Sequence, residues 1–156
     1  MVMRRSDKEI KDRETIDKII DKAEVCRLGL AKDNMPYIVP LSFGYDGEYI
    51  YFHSAKKGRK IDFIESNNFV CFELEDSVKI APDDNNPCKW GFDFKSVIGY
   101  GLIEEIKDQD KKVKALDKIM LHYSDKNQSF NYNNTSLIRV WRIRIKSITG
   151  KGTKDN

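Results

Sequence analysis

The chain has 156 residues, with 28 Lys+Arg against 25 Asp+Glu and a net charge of +3. That is the size of one domain with its own core, and charges so evenly interspersed give no push toward nucleic acid or an anionic membrane. Cys26, Cys71 and Cys88 are widely spaced without a C-x-x-C, and His53 and His122 are the only histidines, so neither a disulfide framework nor a zinc or other metal site is indicated. Residues 1–20 hold no apolar run of signal-peptide form, and no later run is long enough to span a bilayer, so a cytoplasmic protein is expected.

Ser6-Asp7-Lys8-Glu9 has the form of a capping box, which places a helix start there. Ile16, Ile19, Ile20 and Ala23 form its apolar stripe, and the pattern allows a break near Asp12 or Arg13. Residues 25–31 read as the first strand. Lys32-Asp33-Asn34-Met35 is the turn after it, since Asp and Asn side chains bond their own backbone.

The stretch from Pro36 to Lys60 carries the most chemistry. Asp46-Gly47 lies between two β-branched and aromatic runs, the signal for a two-residue hairpin turn. Such a turn sets Phe43 opposite Ile50, Ser42 opposite Tyr51, Leu41 opposite Phe52 and Pro40 opposite His53. One face would then carry Val39, Leu41, Phe43, Ile50 and Phe52 into the core. The other would carry Pro40, Ser42, Gly44, Tyr49, Tyr51 and His53, a flat aromatic surface for a ring-shaped ligand, a partner subunit or solvent. Ser54-Ala55-Lys56-Lys57-Gly58-Arg59-Lys60 follows and leads into a short helix bearing Ile61, Phe63 and Ile64. Cations crowd the end of that helix that is already partly positive. A bound anion accounts for this, with backbone N–H groups, the Ser54 hydroxyl, Arg59 and Lys60 converging on a phosphate; a solvated basic loop is the plainer alternative.

Residues 69–75 alternate as a half-buried strand with Val70, Phe72 and Leu74 inward. After the loop at residues 82–87, Trp90, Phe92 and Phe94 stand among polar neighbours, where aromatics cover a bound ring, a partner chain or the chain's own core. Residues 96–107 read as a long strand with a bulge or close backbone approach at Gly99 and Gly101; the third glycine of a dinucleotide fingerprint is missing. Asp108 can cap a helix with Val113, Leu116, Met120 and Tyr123 on one stripe and a structural His122 near its end. Residues 124–135 are a polar loop. In the last strand Trp141, Ile143 and Ile145 alternate with Arg142, Arg144 and Lys146, a charged face of the kind that protects a sheet edge. This order describes an α+β fold with a small antiparallel barrel.

Met3-Arg4-Arg5-Ser6-Asp7, Cys26-Arg27-Leu28-Gly29, the run from Pro36 to Tyr45, Tyr51-Phe52-His53-Ser54-Ala55 with Gly58-Arg59-Lys60, Val70-Cys71-Phe72-Glu73, the run from Ser96 to Gly101 and Thr149-Gly150-Lys151 follow in a telling order. In that order and spacing the chain resembles the flavin-binding split-barrel superfamily, which contains the pyridoxamine 5′-phosphate oxidases, and within it the Nim-type 5-nitroimidazole-resistance branch. The resemblance implies a six-stranded antiparallel split β-barrel with flanking helices. Residues 1–150 would form a single FMN-binding domain, with a short polar tail at 151–156. It further implies a homodimer with FMN at the subunit interface. Backbone groups of Val39, Pro40, Leu41 and Ser42 would meet the flavin's polar edge, and His53 would lie beside the ring as the catalytic or substrate-orienting group. Ser54, Arg59 and Lys60 would hold the phosphate, with Ser96 from a neighbouring strand and Trp90 from the partner chain completing the site.

By the same resemblance the activity would be that of an FMN-dependent oxidoreductase. NAD(P)H or another donor would reduce the flavin and a small organic acceptor would take the electrons, nitroimidazole-type compounds being one class, with a partly protonated His53 delivering a proton. The closing segment lacks a counterpart of the substrate-phosphate residues of pyridoxamine-phosphate oxidases. The alternative is a non-catalytic flavin- or haem-binding sensing module, with His53 or His122 as axial ligand. A nucleic-acid-binding barrel built on Arg142, Arg144 and Lys146 is disfavoured because Trp141 points to the opposite face, so neither nucleic acid nor a membrane is expected as a partner.

Overall fold

The computed structural model describes residues 5–124, 128–132 and 134–153; the expectations for Met3-Arg4, for residues 125–127 and 133 of the polar loop and for residues 154–156 lie outside the described residues. The elements are β1 (Glu9–Ile10), α1 (Arg13–Lys22), β2 (Cys26–Lys32), β3 (Met35–Leu41), β4 (Gly44–Tyr45), β5 (Tyr49–Ala55), α2 (Arg59–Ser66), β6 (Phe69–Ala81), β7 (Gly91–Ile106), α3 (Gln109–Tyr123) and β8 (Ile138–Gly152). All strands join one antiparallel sheet in the order β3-β2-β6-β7-β8-β5-β4, with β1 added on β8. The fold is therefore α+β with eight strands, where six were expected. The two extra ones are the two-residue β1 and β4. Among the described residues no helix is long and apolar enough to cross a membrane.

The two ends of the sheet path are neighbours in the chain. Ser42 and Phe43 alone separate β3 from β4, so one continuous run pairs β2 with its first part and β5 with its second. The hydrogen-bonded ladder is open at that point, and the two ends of the sheet are joined there by the chain alone. The freed Phe43 N–H donates to the Tyr123 hydroxyl at 3.0 Å, which itself donates to the Glu24 carbonyl at 2.9 Å. Next to it, a β-carbon on Gly44 would stand 2.5 Å from the Lys118 carbonyl carbon and 2.6 Å from the Ile119 nitrogen. α3 thus rests directly on bare backbone where the strand changes partner.

The barrel core contains Phe43, Phe52, Phe72, Ile20, Leu28, Ile50, Leu74 and Ile143, all essentially fully buried. A second, smaller cluster of Ile106, Ala115, Leu116, Ile119 and Val140 joins α3 to the outer face of β5 and β8, with Tyr51 and Ile138 at its margin. Gly99 and Gly101 do mark close approach, as expected: the Phe72 ring fills the place of a Gly99 side chain, and the β7–β8 register shifts between Tyr100 and Gly101.

Several local expectations are corrected. Asp46-Gly47 is not a two-residue hairpin turn. Tyr45 pairs with Ile50 and Gly44 with Tyr51, two places from the expected register, because the Asp46 carboxylate accepts the Glu48 and Tyr49 N–H groups at 3.1 and 2.8 Å and widens the turn. A two-residue slip preserves the faces, so Phe43, Ile50 and Phe52 remain inside. The expected pairs of Ser42, Leu41 and Pro40 with Tyr51, Phe52 and His53 do not form, since β3 turns away to β2. The tight turn is Asp33-Asn34, with φ of 50° and 61°. At the N-terminus Asp12 caps α1, accepting from the Thr15 N–H at 2.8 Å, while Glu9 and Ile10 pair with Lys151 and Gly150. The buried stripe of α3 is Ala115, Leu116 and Ile119, with Met120 and Tyr123 exposed. The charged face of β8 is not an edge, because β7 and β5 flank it, and Arg142 pairs with Glu104 across the sheet.

Gly44→Ala tests the clamp. Gly44 is not among the glycines with positive φ, so the added methyl acts by steric overlap alone. Urea unfolding followed by circular dichroism should show a loss of about 1–3 kcal/mol, typical of an overpacked contact; an unchanged midpoint would mean α3 does not bear on this backbone.

Candidate functional site

The split frames the candidate site. Beyond the Gly44–Tyr51 pair, β3 pairs only with β2 and β5 only with β8 among the described strands, leaving the inner edges of residues 39–41 and 52–55 outside any ladder. Unladdered N–H and C=O groups need partners. On the β3 side Pro40 and Ser42 are exposed, Val39 is half-buried against the core and Leu41 is buried. Val39 and Leu41 can therefore serve a ligand only through their backbone, while the Ser42 side chain is hydrogen-bonded to Tyr123.

On the β5 side the alternation places Ile50, Phe52 and Ser54 inside and Tyr49, Tyr51 and His53 outside. The buried Ser54 hydroxyl accepts the Trp141 indole N–H at 2.9 Å and donates to the Ala55 carbonyl at 2.9 Å. Its donor and acceptor roles are both used within the chain, so Ser54 shapes the wall of the site rather than presenting a free group. After Lys56 and Lys57, Gly58 has φ 135° and opens α2, where no side chain caps the first amides.

Two cations stand at this helix start. The Arg59 guanidinium lies 5.1 Å from the Tyr37 ring and 5.8 Å from the Phe63 ring, with Nη2 3.4 Å from the Met35 sulfur. The Lys60 amine lies 5.7 Å from the Phe52 ring, and burial lowers its pKa. Neither has a carboxylate within ion-pair distance among the described residues. Partial desolvation, and after it the Lys60 charge, hold the exposed His53 imidazole below its ordinary value. Both causes disfavour the charged imidazolium, opposite in direction to the expected partial protonation.

His53 also lines a cleft of about 350 Å³ with Leu116, Ile119, Met120, Tyr132 and the Asn131 and Asn134 amides. No charged side chain lines it. Sequence reasoning missed these partners: Met120 read as core, and Tyr132, which donates to Asp117 at 2.9 Å, read as loop. His122, in contrast, is structural, with Nε2 2.7 Å from the Ala23 carbonyl and its ring 4.2 Å from that of Phe43.

Trp90 and Ser96 do not join this group within one chain. Ser96 pairs with Lys151, eleven positions along β8 from Val140, the partner of His53. Trp90 is 54 % exposed, with its indole N–H on the Asp83 carbonyl at 2.7 Å, and lines a separate groove with Arg5, Lys8 and Phe92. Burial pushes the Cys26 thiol up to about 12, which makes it inert as a nucleophile. No group of three or more metal-ligating side chains is assembled among the described residues.

The family model described as pyridoxamine 5′-phosphate oxidase matches residues 12–152. A candidate 5-nitroimidazole antibiotic resistance protein from Bacteroides thetaiotaomicron VPI-5482 is 32 % identical, with 92 % of this chain and 85 % of that one covered and a TM-score of 0.80. The flavocytochrome Anf3 from Azotobacter vinelandii shares the fold at 19 % identity, with 99 % and 73 % covered and a TM-score of 0.84. An uncharacterized protein of Rhizobium meliloti (strain 1021) is 31 % identical over 97 residues, a match that spans 62 % of this chain and 56 % of that relative's length. The motifs, the split sheet and these matches agree: the chain belongs to the pyridoxamine 5′-phosphate oxidase family of the FMN-binding split-barrel superfamily.

Proposed function

We propose that the chain binds FMN in the opening between β3 and β5 and acts as an oxidoreductase toward small uncharged organic acceptors, with NAD(P)H or a similar donor supplying the electrons. The observation that carries this reading is the pair Arg59 and Lys60. These cations have no carboxylate partner among the described residues, and Lys60 is half-buried, beside two unladdered strand edges. A half-buried ammonium without a counter-ion is costly, and a phosphate at that point removes the cost. The amides at the start of α2 add donors, while backbone groups of Val39, Pro40, Leu41 and Ser42 suit the polar edge of a planar ring.

When bound, the flavin supplies two-electron transfer. His53 offers one N–H donor and one ring-nitrogen acceptor in its neutral form, which orients an acceptor in the adjoining cleft and relays a proton from solvent. The uncharged lining of that cleft favours a neutral heterocycle, such as a nitroimidazole-type compound, over a phosphorylated amine. The likeness to a candidate nitroimidazole resistance protein supports the same choice.

The site is completed by a second copy in this reading. Ile38, Gly29, Cys71 and Tyr100 form one row across β3, β2, β6 and β7, flanked on the same face by Phe69 and Ile98. Ile38 is 68 % and Phe69 52 % exposed, and Phe69 stacks on Tyr100 at 5.9 Å. A face of this kind suits a homodimer partner, whose Trp90 and Ser96 would then reach the flavin that these residues do not approach in their own chain.

The purified protein should show oxidised-flavin absorption and release FMN on heat denaturation; released FAD, or a Soret band from haem, would replace the cofactor named here. Arg59→Ala with Lys60→Ala should weaken FMN binding by about 1.5–3 kcal/mol per lost charged contact, read by fluorescence titration of the free flavin. Unchanged affinity would place the phosphate elsewhere.

The lowered His53 pKa also has a measurable sign. Its contribution to stability is complete above the unfolded value of about 6.5 and is lost as pH falls through the lower folded value. On urea denaturation from about pH 7.5 down to about pH 5, His53→Gln should therefore lose less stability than the parent chain. Equal losses would show that His53 is not held neutral by folding.

A further inference from the structure

Along the other flank of α3 lies a second cleft, of about 400 Å³, that the flavin reading does not use. Its cations are Lys111, Lys114 and Lys118 of α3, Lys107 in the β7–α3 connection and Arg142 of β8, and Tyr51 of β5 forms one wall. Its floor includes the buried Ile106 and Ala115. It shares no lining residue with the His53 cleft.

The charge is largely uncompensated. Among the described residues none of the four lysines has an ion pair. Of the two carboxylates in the lining, Glu105 is paired with the Arg139 guanidinium at 3.0 and 2.8 Å, while Asp108 accepts the Lys111 backbone N–H at 2.9 Å and keeps its negative charge, which the four lysines outnumber. Asp46, which feels the Lys118 charge, is occupied by the Tyr51 hydroxyl at 2.6 Å. Arg142 is preset, with Nε and Nη2 on Glu104 at 3.0 and 2.7 Å and its guanidinium 4.7 Å from the Tyr49 ring. Its Nη1 carries no hydrogen bond among the described residues.

We propose that this cleft binds a phosphorylated organic anion of nucleoside-diphosphate size. Lys111 to Lys118 spans seven residues of helix, about 10 Å at 1.5 Å per residue. A single inorganic phosphate cannot reach both ends, whereas a diphosphate with an attached ring system can. The volume sits at the small end of the range for small-molecule pockets, and the apolar floor with the Tyr51 wall gives a flat organic group a surface that a bare ion does not need.

Calorimetric titration with ADP, inorganic pyrophosphate and adenosine, on protein saturated with added FMN, tests this. ADP should bind more tightly than pyrophosphate, adenosine should not bind, and ADP affinity should fall between about 50 and about 200 mM salt. Lys114→Gln with Lys118→Gln should weaken ADP roughly tenfold or more while leaving the melting temperature unchanged, since both side chains are exposed and Gln suits a helix as well as Lys does. Arg59→Ala with Lys60→Ala should leave ADP binding intact, which separates this cleft from the flavin phosphate site. The proposal is overturned if ADP does not bind at millimolar concentration, if pyrophosphate binds as tightly as ADP, or if the Arg59 and Lys60 changes abolish binding and the α3 changes do not.

Discussion

One strand with two successive partners is the constraint from which the rest of the structure follows. The run from Met35 to Tyr45 pairs β2 and then β5, and between the two it must leave a ladder. An N–H stranded in this way costs about 1–3 kcal/mol if buried without a partner. Here Tyr123 supplies the partner for Phe43, and Gly44 lets α3 approach closely enough for Tyr123 to reach. The clamp and the opening are the same feature: holding the strand at Phe43 and Gly44 obliges β3 and β5 to diverge beyond it, which exposes the backbone edges that frame the candidate flavin site. Glycine at 44 is required by the backbone of α3 rather than by its own φ.

The charges divide into those the fold uses and those it leaves over. Arg139 bridges Glu65 and Glu105, Arg142 bonds Glu104 across the β7–β8 pair, and Arg27 lies between Glu73 and Glu75. Such half-exposed pairs add little stability each, but they fix side-chain positions and cancel charge. Some of the cations left over, Lys22, Lys32, Lys79 and Lys146 among them, stand elsewhere on the chain, but two groups are concentrated. Arg59 and Lys60 stand at the mouth of the split, and Lys107, Lys111, Lys114 and Lys118 line one flank of α3. Where unpaired cations do cluster, at these two places, they make a local positive field that the net charge of +3 does not display.

What could be read from the sequence was local, and what could not depended on distant partners. The alternation of β5, the cap at Asp108, the bulge glycines Gly99 and Gly101 and the inward face of Phe43, Ile50 and Phe52 all follow from short-range rules, and the structure keeps them. The hairpin register failed because a carboxylate can bond its own turn as well as occupy it, and Asp46 does the former. At the Ser6 capping box a helical turn does begin, but only as a 3-10 turn over Ser6–Lys8, because β8 offers Glu9 and Ile10 a ladder that local spacing cannot display. The stripe of α3 was misread for the same reason: its burial is set by β4 and β5, which favour Ala115, Leu116 and Ile119 over Val113 and Met120. Ser54 was expected to hold a phosphate, but the fold brings Trp141 to its hydroxyl, a partner that no local pattern could display. Neither cleft beside α3 was legible, because each is assembled from elements far apart in the chain.

Those two clefts draw on the same elements, α3, β5 and β8 or their flanks, but share neither lining residues nor character. Tyr51 faces the cationic one and His53 the neutral one, two residues apart on β5 and so about 6–7 Å apart along the strand. The cluster of Ala115, Leu116 and Ile119 on Val140 and Ile106 fills the space between them and fixes α3 against the sheet. This division suits opposite tasks. The cationic flank offers an anion several lysines, whereas the lining near His53 offers amide and apolar groups. Burial first, and the Lys60 charge after it, lower the His53 pKa, so both act against a positive charge in the cleft beside it.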